Sequence, residues 1–469
     1  MEYADISSPD GRRCQTGPFL LPARDAPDTM TSKTSSKKPV AKSDRKTHAK
    51  ASGGAAGKAT GKRIGKPGLP GPAKREDELM RCRNLKMARS AHAYVRGNTR
   101  KFYEWLAARQ PHTLPEGPAI WICGDCHVGN LGPIADIQGH VDIQIRDLDQ
   151  TVIGNPAHDL IRLALSLATA ARGSDLPGVV TARMLESLVV GYESAFDNPD
   201  AAAGLTSRRP AAVRTVMRLA LGRQWKHLAC ERLRDTTPSI PLGKRFWRLA
   251  PTERRAIGAL FERREIAHLA TLLTSRDEGA RVEVIDAAYW VKGCSSLGRL
   301  RFAVLLSVDS NDSPSPEICL IDIKEAVKAA APSYPKASMP HDNGARVAEG
   351  ARHLSPALGD RILSAQLLDK AVFIRELLPQ DLKLEIDTLP QEEASRVAMY
   401  LGEVVGNAHA RQMDLATQRG WLAELARNRS KQLDAPSWLW SSVLDLIASH
   451  EVGYLEHCRK FALGQTGGL

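Results

Sequence analysis

Apolar positions change their period along the chain, and the changes mark out its parts. From about Glu76 they recur at helical spacing, at Leu79, Met80, Leu85, Met87 and Ala88, and SAHAYVRGNTRKFYEWLAA keeps the same rhythm. Residues 118–123, PAIWIC, form a short apolar run that predicts a buried strand leading into the loop CGDCHVGN. Asp136-Ile-Gln-Gly139 reads as a turn. Val141, Ile143 and Ile145 then alternate with Asp142, Gln144 and Arg146, the two-residue period of a strand with one buried face. Asn155-Pro-Ala-His-Asp-Leu-Ile-Arg predicts a helix with Asn155 as N-cap and Pro156 at its first position.

Residues 178–280 read as mostly helical, rich in Arg and Leu, with no identifiable chemistry. Around Glu283 the period switches. DAAYWVKGCSSLGRLRFAVLLSV, the turn-like DSNDSPSP and EICLIDIKEA predict strand, Gly-containing loop, strand, turn and strand, a small antiparallel sheet. A helix follows at 344–353 and a strand at 371–376. Another helix spans 393–413, with Val397, Leu401, Val404, Val405 and Ala408 on its apolar face. The expectation is an α+β chain in four parts: a tail 1–78, a helical lobe 79–280, a sheet lobe 281–388, and helices 389–469 that complete the helical lobe.

Composition alters this picture mainly at the N-terminus. The chain has 469 residues with 43% hydrophobic and 25% charged content, ordinary for a globular protein of two or three domains. Its net charge is +12, and residues 30–75 alone hold 13 Lys and Arg against the single acid Asp44. This stretch of Lys, Ser, Ala, Gly and Pro has little to bury and is expected to be disordered. It could bind polyanions by counterion release, but it lacks an aromatic residue to stack on bases. No signal peptide is evident, and no run nears the roughly 18 apolar residues of a membrane span, so a cytoplasmic protein without membrane contact is expected. The eight cysteines have no framework spacing and are expected to be reduced.

The loop Cys123-Gly-Asp-Cys-His-Val-Gly-Asn130 admits three readings. Cys-x-x-Cys-His is a c-type haem attachment signature, but that chemistry needs an oxidising, exported setting. Two thiols and an imidazole are part of a zinc site, but no second ligand pair follows. The third reading draws on residues further along. Gly-Asp-x-His-x-x-Asn, then a hairpin, then Arg146-Asp147-Leu148 and Gly154-Asn-Pro-Ala-His-Asp159-Leu160 resembles the catalytic segment of aminoglycoside-phosphotransferase-like kinases, in which the two later aspartates stand twelve residues apart as here. Cys123 replaces that family's leading His, and Arg-Asp-Leu replaces its Ile-Asp-Trp.

This resemblance implies a task for each residue. Phosphoryl transfer requires in-line positioning, metal ions on the phosphate oxygens and a carboxylate near the acceptor hydroxyl. Asp125 would be that carboxylate, with His127 orienting the loop. Asn130 and Asp147 would bind magnesium through oxygen, and Asp159 would anchor the loop from below. Taken singly, Asp125 and Asn130 are ordinary turn residues and Asp147 a capped strand end. Kinases further need a Gly loop over the ATP phosphates and a small-lobe lysine held by a helix glutamate. Gly293, Ser295, Ser296 and Gly298 supply the loop, Lys324 the lysine and Glu349 its expected partner. A Walker loop is excluded, since Arg299-Leu300 and a strand follow Gly298.

The order is unusual: the catalytic loop and metal aspartate precede the Gly loop, lysine and glutamate, as in a circular permutation. Phe373-Ile-Arg-Glu-Leu would then be the hinge strand. Together with Tyr94-Val-Arg-Gly97, Ile323-Lys-Glu-Ala326 and Ala408-His-Ala-Arg411, these segments resemble the bacterial domain-of-unknown-function family 2252 over residues 79–460. The expected fold is two-lobed and protein-kinase-like, circularly permuted. The expected function is magnesium-dependent phosphoryl transfer from ATP to an unidentified acceptor. A nucleotide-binding regulatory module without turnover, and a polyanion binder acting through residues 30–75, are the alternatives.

Overall fold

The switch to an alternating apolar period near residue 281 produces the largest sheet of the computed structural model. Strands β5 (Phe246–Trp247), β6 (Arg281–Trp290), β7 (Arg301–Asp309), β8 (Glu317–Glu325), β9 (Ile362–Leu367) and β10 (Lys370–Glu376) pair antiparallel in the order β5-β6-β7-β8-β10-β9. Side chains alternate between faces. Phe302, Val304 and Leu306 of β7 and Ile321 and Ile323 of β8 join one core with Leu260 and Phe261 of a helix, Pro251–Phe261, and with Leu79. Residues 249–271, expected in the helical lobe, thus cover the sheet, because an apolar face must be buried by another layer, and residues 246–247 of the same span form its edge strand. The opposite face is mixed. It carries Ala303, Leu305 and Leu320 at one end and Arg301, Asp322, Lys324 and Arg375 at the other.

The described residues are 71–110, 112–197, 209–223, 239–294, 296–309, 316–382, 391–427 and 436–461. The expected tail lies outside them up to residue 70, as does Ser295. Helix α1 (Arg75–Met87) begins inside the span assigned to the tail. It is pinned there by Arg75, which donates to Glu253 at 2.6 Å and to the Arg248 carbonyl. α2 (Ala91–Gly97) and α3 (Thr99–Ala107) follow, each N-capped by a side chain, Ser90 and Asn98. Among the described residues no helix is long and apolar enough to cross a membrane.

β1 (Ile120–Ile122) pairs with β4 (Val152–Gly154), and β2 (Leu131–Ala135) forms a hairpin with β3 (Val141–Ile145). Asp136 closes the hairpin turn by accepting from the backbone N–H groups of Gln138 and His140. The helix expected after Asn155 is α4 (Ala157–Gly173). Asn155 accepts from Ala157 N at 2.9 Å, and most of the helix is buried. α5 (Gly178–Asp197) packs against the late helix Gln391–Ala410 at very close range. A Cβ on Gly402 would stand 2.1 Å from the Leu188 carbonyl oxygen, and one on Gly191 would stand 1.9 Å from that of Met399. Early helices and helices near the C-terminus therefore share one core.

Candidate active site

The loop Cys123–Asn130 leaves β1 with a left-handed turn at Gly124, φ +73°, where a Cβ would stand 2.2 Å from the Gln150 carbonyl oxygen. Asp159, in the first turn of α4, accepts from the N–H groups of Cys123 at 2.7 Å and Gly124 at 3.0 Å. Behind it stands a buried relay. Trp421 Nε1 donates to the Tyr192 hydroxyl at 3.0 Å, that hydroxyl lies 3.0 Å from His409 Nδ1, and His409 Nε2 lies 3.2 Å from Asp159 Oδ2. The donors order consistently if Tyr192 donates to Nδ1 and Nε2–H donates to Asp159. The anchoring task expected of Asp159 matches these bonds, and Ala408-His-Ala-Arg411 supplies its support.

Asn130 ends the loop. Its Nδ2 donates to the Asp125 carbonyl at 3.0 Å, and its own carbonyl accepts from Arg146 N at 2.7 Å, which ties the loop to the residue before Asp147. Asp147 meets Lys324, 177 residues later: Nζ lies 3.0 and 3.2 Å from the two carboxylate oxygens. Asp149 completes the group, with Oδ2 3.0 Å from the same Nζ. Lys324 is almost fully buried, and Phe373 is its cross-strand neighbour, with Nζ 5.6 Å from the ring centroid. Burial opposes charge on all three groups. For Asp147 the Lys324 ammonium more than offsets it and holds the carboxyl well below its ordinary range. Asp149 is pushed up by burial and by the Asp147 charge, and Lys324 is raised by both carboxylates against its own burial.

Glu349 does not hold Lys324. Its helix, Asn343–Leu354, turns Gly350 onto Thr151, where a Cβ would stand 2.4 Å from Cγ2, and turns Arg346 onto the carbonyls of Asp149, Thr151 and Val327. Glu349 faces away from that contact and pairs with Arg352 at 2.7 Å and His353 at 3.3 Å. The anions beside Lys324 come from Asp147 and Asp149 instead.

A cleft of about 460 Å³ opens between the loop, α1–α2 and the sheet. His127, Asn130, Asp147, Gly293 and Ser296 all line it, so five of the expected site residues share one wall system. Gly293 and Gly298 both have positive φ, +94° and +97°, and Leu297 N and Arg299 N donate back to Cys294 and Ser296. The described residues of this segment are thus bonded back on one another. Lys86 secures it by donating to the Gly293 carbonyl at 3.0 Å. Arg301 on the cleft wall is engaged by Asp322 at 2.8 and 2.5 Å, and this pairing holds the buried Asp322 carboxyl at about 2.

Asp125 is not part of the lining. Its Oδ1 accepts from Arg162 Nε at 2.9 Å, and its Oδ2 lies 4.0 Å from His127 Nε2. Burial raises its carboxyl despite Arg162, and burial, then Arg162 and Arg96, hold His127 well below the usual imidazole range. Arg162 escaped the sequence reading. Its signal is a lone Arg inside the apolar run DLIRLALSL, since a charge on a buried helix face requires a partner. Asp149 closes the family motif Arg146-Asp-Leu-Asp149, which carries no assigned task for it, and Arg346 had no comparable signal.

Donor atoms of Cys123, Cys126 and Asp159 lie within 4.8 Å of one another. Metal binding there needs thiolates, yet the bond to Cys126 and burial push the Cys123 thiol far up, and both Asp159 oxygens already serve the loop backbone. The oxygen donors of Asn130 and Asp147 suit a hard cation better. No curated protein and no solved structure matches the chain. A family model described as "Uncharacterized protein conserved in bacteria (DUF2252)" matches residues 75–460, from the first residue of α1 to the last turn of the C-terminal helix, and the chain belongs to that family.

Proposed function

We propose that the chain is a magnesium-dependent, ATP-using phosphotransferase of two-lobed, circularly permuted kinase-like fold. The observation that carries this reading is the meeting of Lys324 on β8 with Asp147 after β3; Asp147 lines the cleft with Asn130, Gly293 and Ser296, and Lys324 is buried behind it. The small-sheet parts keep the order such a lobe requires: turns between β6 and β7, lysine on the next strand, a helix, then two strands. Asn130 and Asp147 present amide and carboxylate oxygens, the donors magnesium takes, and they are the residues that would hold it. Bound there, magnesium would neutralise phosphate oxygens.

Lys324, kept charged by two carboxylates, pairs with the phosphates once a nucleotide competes for it. The 293–298 segment offers the Ser296 hydroxyl and backbone N–H groups to the same oxygens. Asp125, oriented through Oδ1 by Arg162, takes the acceptor proton at Oδ2 as the new P–O bond forms and the bond to the diphosphate breaks. A second reading, a nucleotide-binding module without turnover, is favoured by one observation: Asp125 is engaged by Arg162 and set back from the cleft lining.

A thermal-shift titration tests the proposal. Mg–ATP at 100 times its Kd should stabilise by about 2.7 kcal/mol, and Asp147→Ala should remove the magnesium-dependent part. Equal shifts in both proteins would sink Asp147 as the metal ligand. Asp125→Asn should retain nucleotide binding while transfer from γ-labelled ATP falls by about 100- to 10,000-fold. Nucleotide binding with no wild-type transfer selects the second reading.

A further inference from the structure

One wall of the cleft is more basic than a nucleotide site of this kind needs. Lys86 in the last turn of α1, Arg89 in the turn that follows it and Arg96 on α2 all line it. Among the described residues no carboxylate pairs with Arg89 or Arg96, and Lys86 is bonded to a backbone carbonyl. Arg83, one turn before Lys86, has a buried Nε without a hydrogen-bond partner. The one carboxylate in the lining, Asp147, is already engaged by Lys324. Several positive charges therefore face one cleft uncompensated.

Lys86 bonds the Gly293 carbonyl, whereas Arg96 reaches the catalytic loop. The Arg96 guanidinium lies on Gly129, where a Cβ would stand 2.5 Å from Nη2, so it rests on the loop between His127 and Asn130. Asp125 belongs to the same loop, behind His127, which lines the cleft and whose Nε2 lies 4.0 Å from Asp125 Oδ2. ATP carries about four negative charges, and a kinase site meets them with magnesium, one lysine and loop N–H groups. The α1–α2 cations stand beyond that requirement. The cleft volume is within the range of small-molecule sites.

We propose that this wall is an acceptor subsite, and that the acceptor is a small hydroxyl compound already bearing a phosphate group. The inference rests on the phosphotransferase reading. Arg89 and Arg96 grip the existing phosphate through paired N–H donors, a geometry guanidinium groups favour. The hydroxyl is thereby held against the loop that carries Asp125, next to the transferable phosphoryl group. Transfer forms one P–O bond to that hydroxyl, breaks the bond to the diphosphate, and leaves the proton on Asp125.

Calorimetric titration of inorganic pyrophosphate onto the full chain, with and without saturating magnesium and a non-hydrolysable ATP analogue, tests this. Pyrophosphate should still bind the nucleotide-loaded protein. Arg89→Gln, at an exposed position, and Arg89→Gln/Arg96→Gln should weaken that binding by about 10-fold or more for each charge-assisted hydrogen bond removed, with a much smaller effect on the nucleotide. Thermal melts establish that the variants are folded. Competition between pyrophosphate and nucleotide for one site, or equal weakening of both ligands, would overturn the subsite. Failure of the nucleotide to bind at all, with pyrophosphate still bound, would remove the phosphotransferase reading and the acceptor role with it, so the two failures differ.

Discussion

Lys324→Met tests the ionic centre of the site directly. The substitution keeps most of the side-chain volume and removes the cation shared by Asp147 and Asp149. Asp149 is the costly survivor, since its side chain is only 9% exposed, whereas that of Asp147 is 40% exposed and water takes over much of the missing interaction. Breaking a fully buried pair costs about 3–5 kcal/mol. Discounting the exposed partner leaves about 2–4 kcal/mol, which for a folded span of about 390 residues lowers the melting temperature by about 2–5 °C. The pH dependence carries the sharper signature. In the wild type the folded Asp147 is depressed, so its contribution is complete above the unfolded carboxyl value and is lost only as pH falls through the depressed one. Without Lys324 the buried Asp149, already raised, rises further. A raised acid loses stability as pH climbs above the unfolded value, so the deficit of the variant should grow from pH 4 toward pH 7. Urea denaturation followed by circular dichroism at pH 4, 5.5 and 7 measures it. A deficit below about 1 kcal/mol that is flat with pH would refute the view that Lys324 neutralises this pair.

Three further outcomes are expected. Gly402→Ala places a Cβ 2.1 Å from the Leu188 carbonyl oxygen and should cost about 1–3 kcal/mol by thermal melting; an unchanged midpoint would mean the two helices are not closely packed. Asp159→Asn turns one of the acceptors for Cys123 N and Gly124 N into a donor, and should cost about 2–4 kcal/mol; amide exchange that stays slow at Cys123 and Gly124 would contradict the anchoring role. Deleting residues 1–70 should leave the melting temperature within about 1 °C and abolish retention on heparin, whereas retained heparin binding would place the polyanion site elsewhere. The cut belongs before Arg75, because that residue clamps Glu253.

What the sequence determines by itself is local. Periods of 3.6 and 2 identify α4 and the strands β6, β7 and β8, because one apolar face suffices to set each of them. The turn at Asp136 and the spacing of Asp125, Asn130, Asp147 and Asp159 follow from short-range chemistry. Tertiary structure decides the rest. β9 and the two-residue β5 exist through pairing and carry little pattern of their own. Helix Asn343–Leu354 is legible, but which of its side chains faces the site is not. Gly350 against Thr151 rotates Arg346 inward and Glu349 outward, so the anions beside Lys324 come from a loop almost 180 residues earlier. The partnership of Arg162 with Asp125 and the gathering of Lys86, Arg89 and Arg96 on one wall are likewise products of packing. A residue's type follows from local order, whereas its partner follows from which buried charges the fold brings within a few ångströms, where desolvation makes a misplaced ion too costly to leave unpaired.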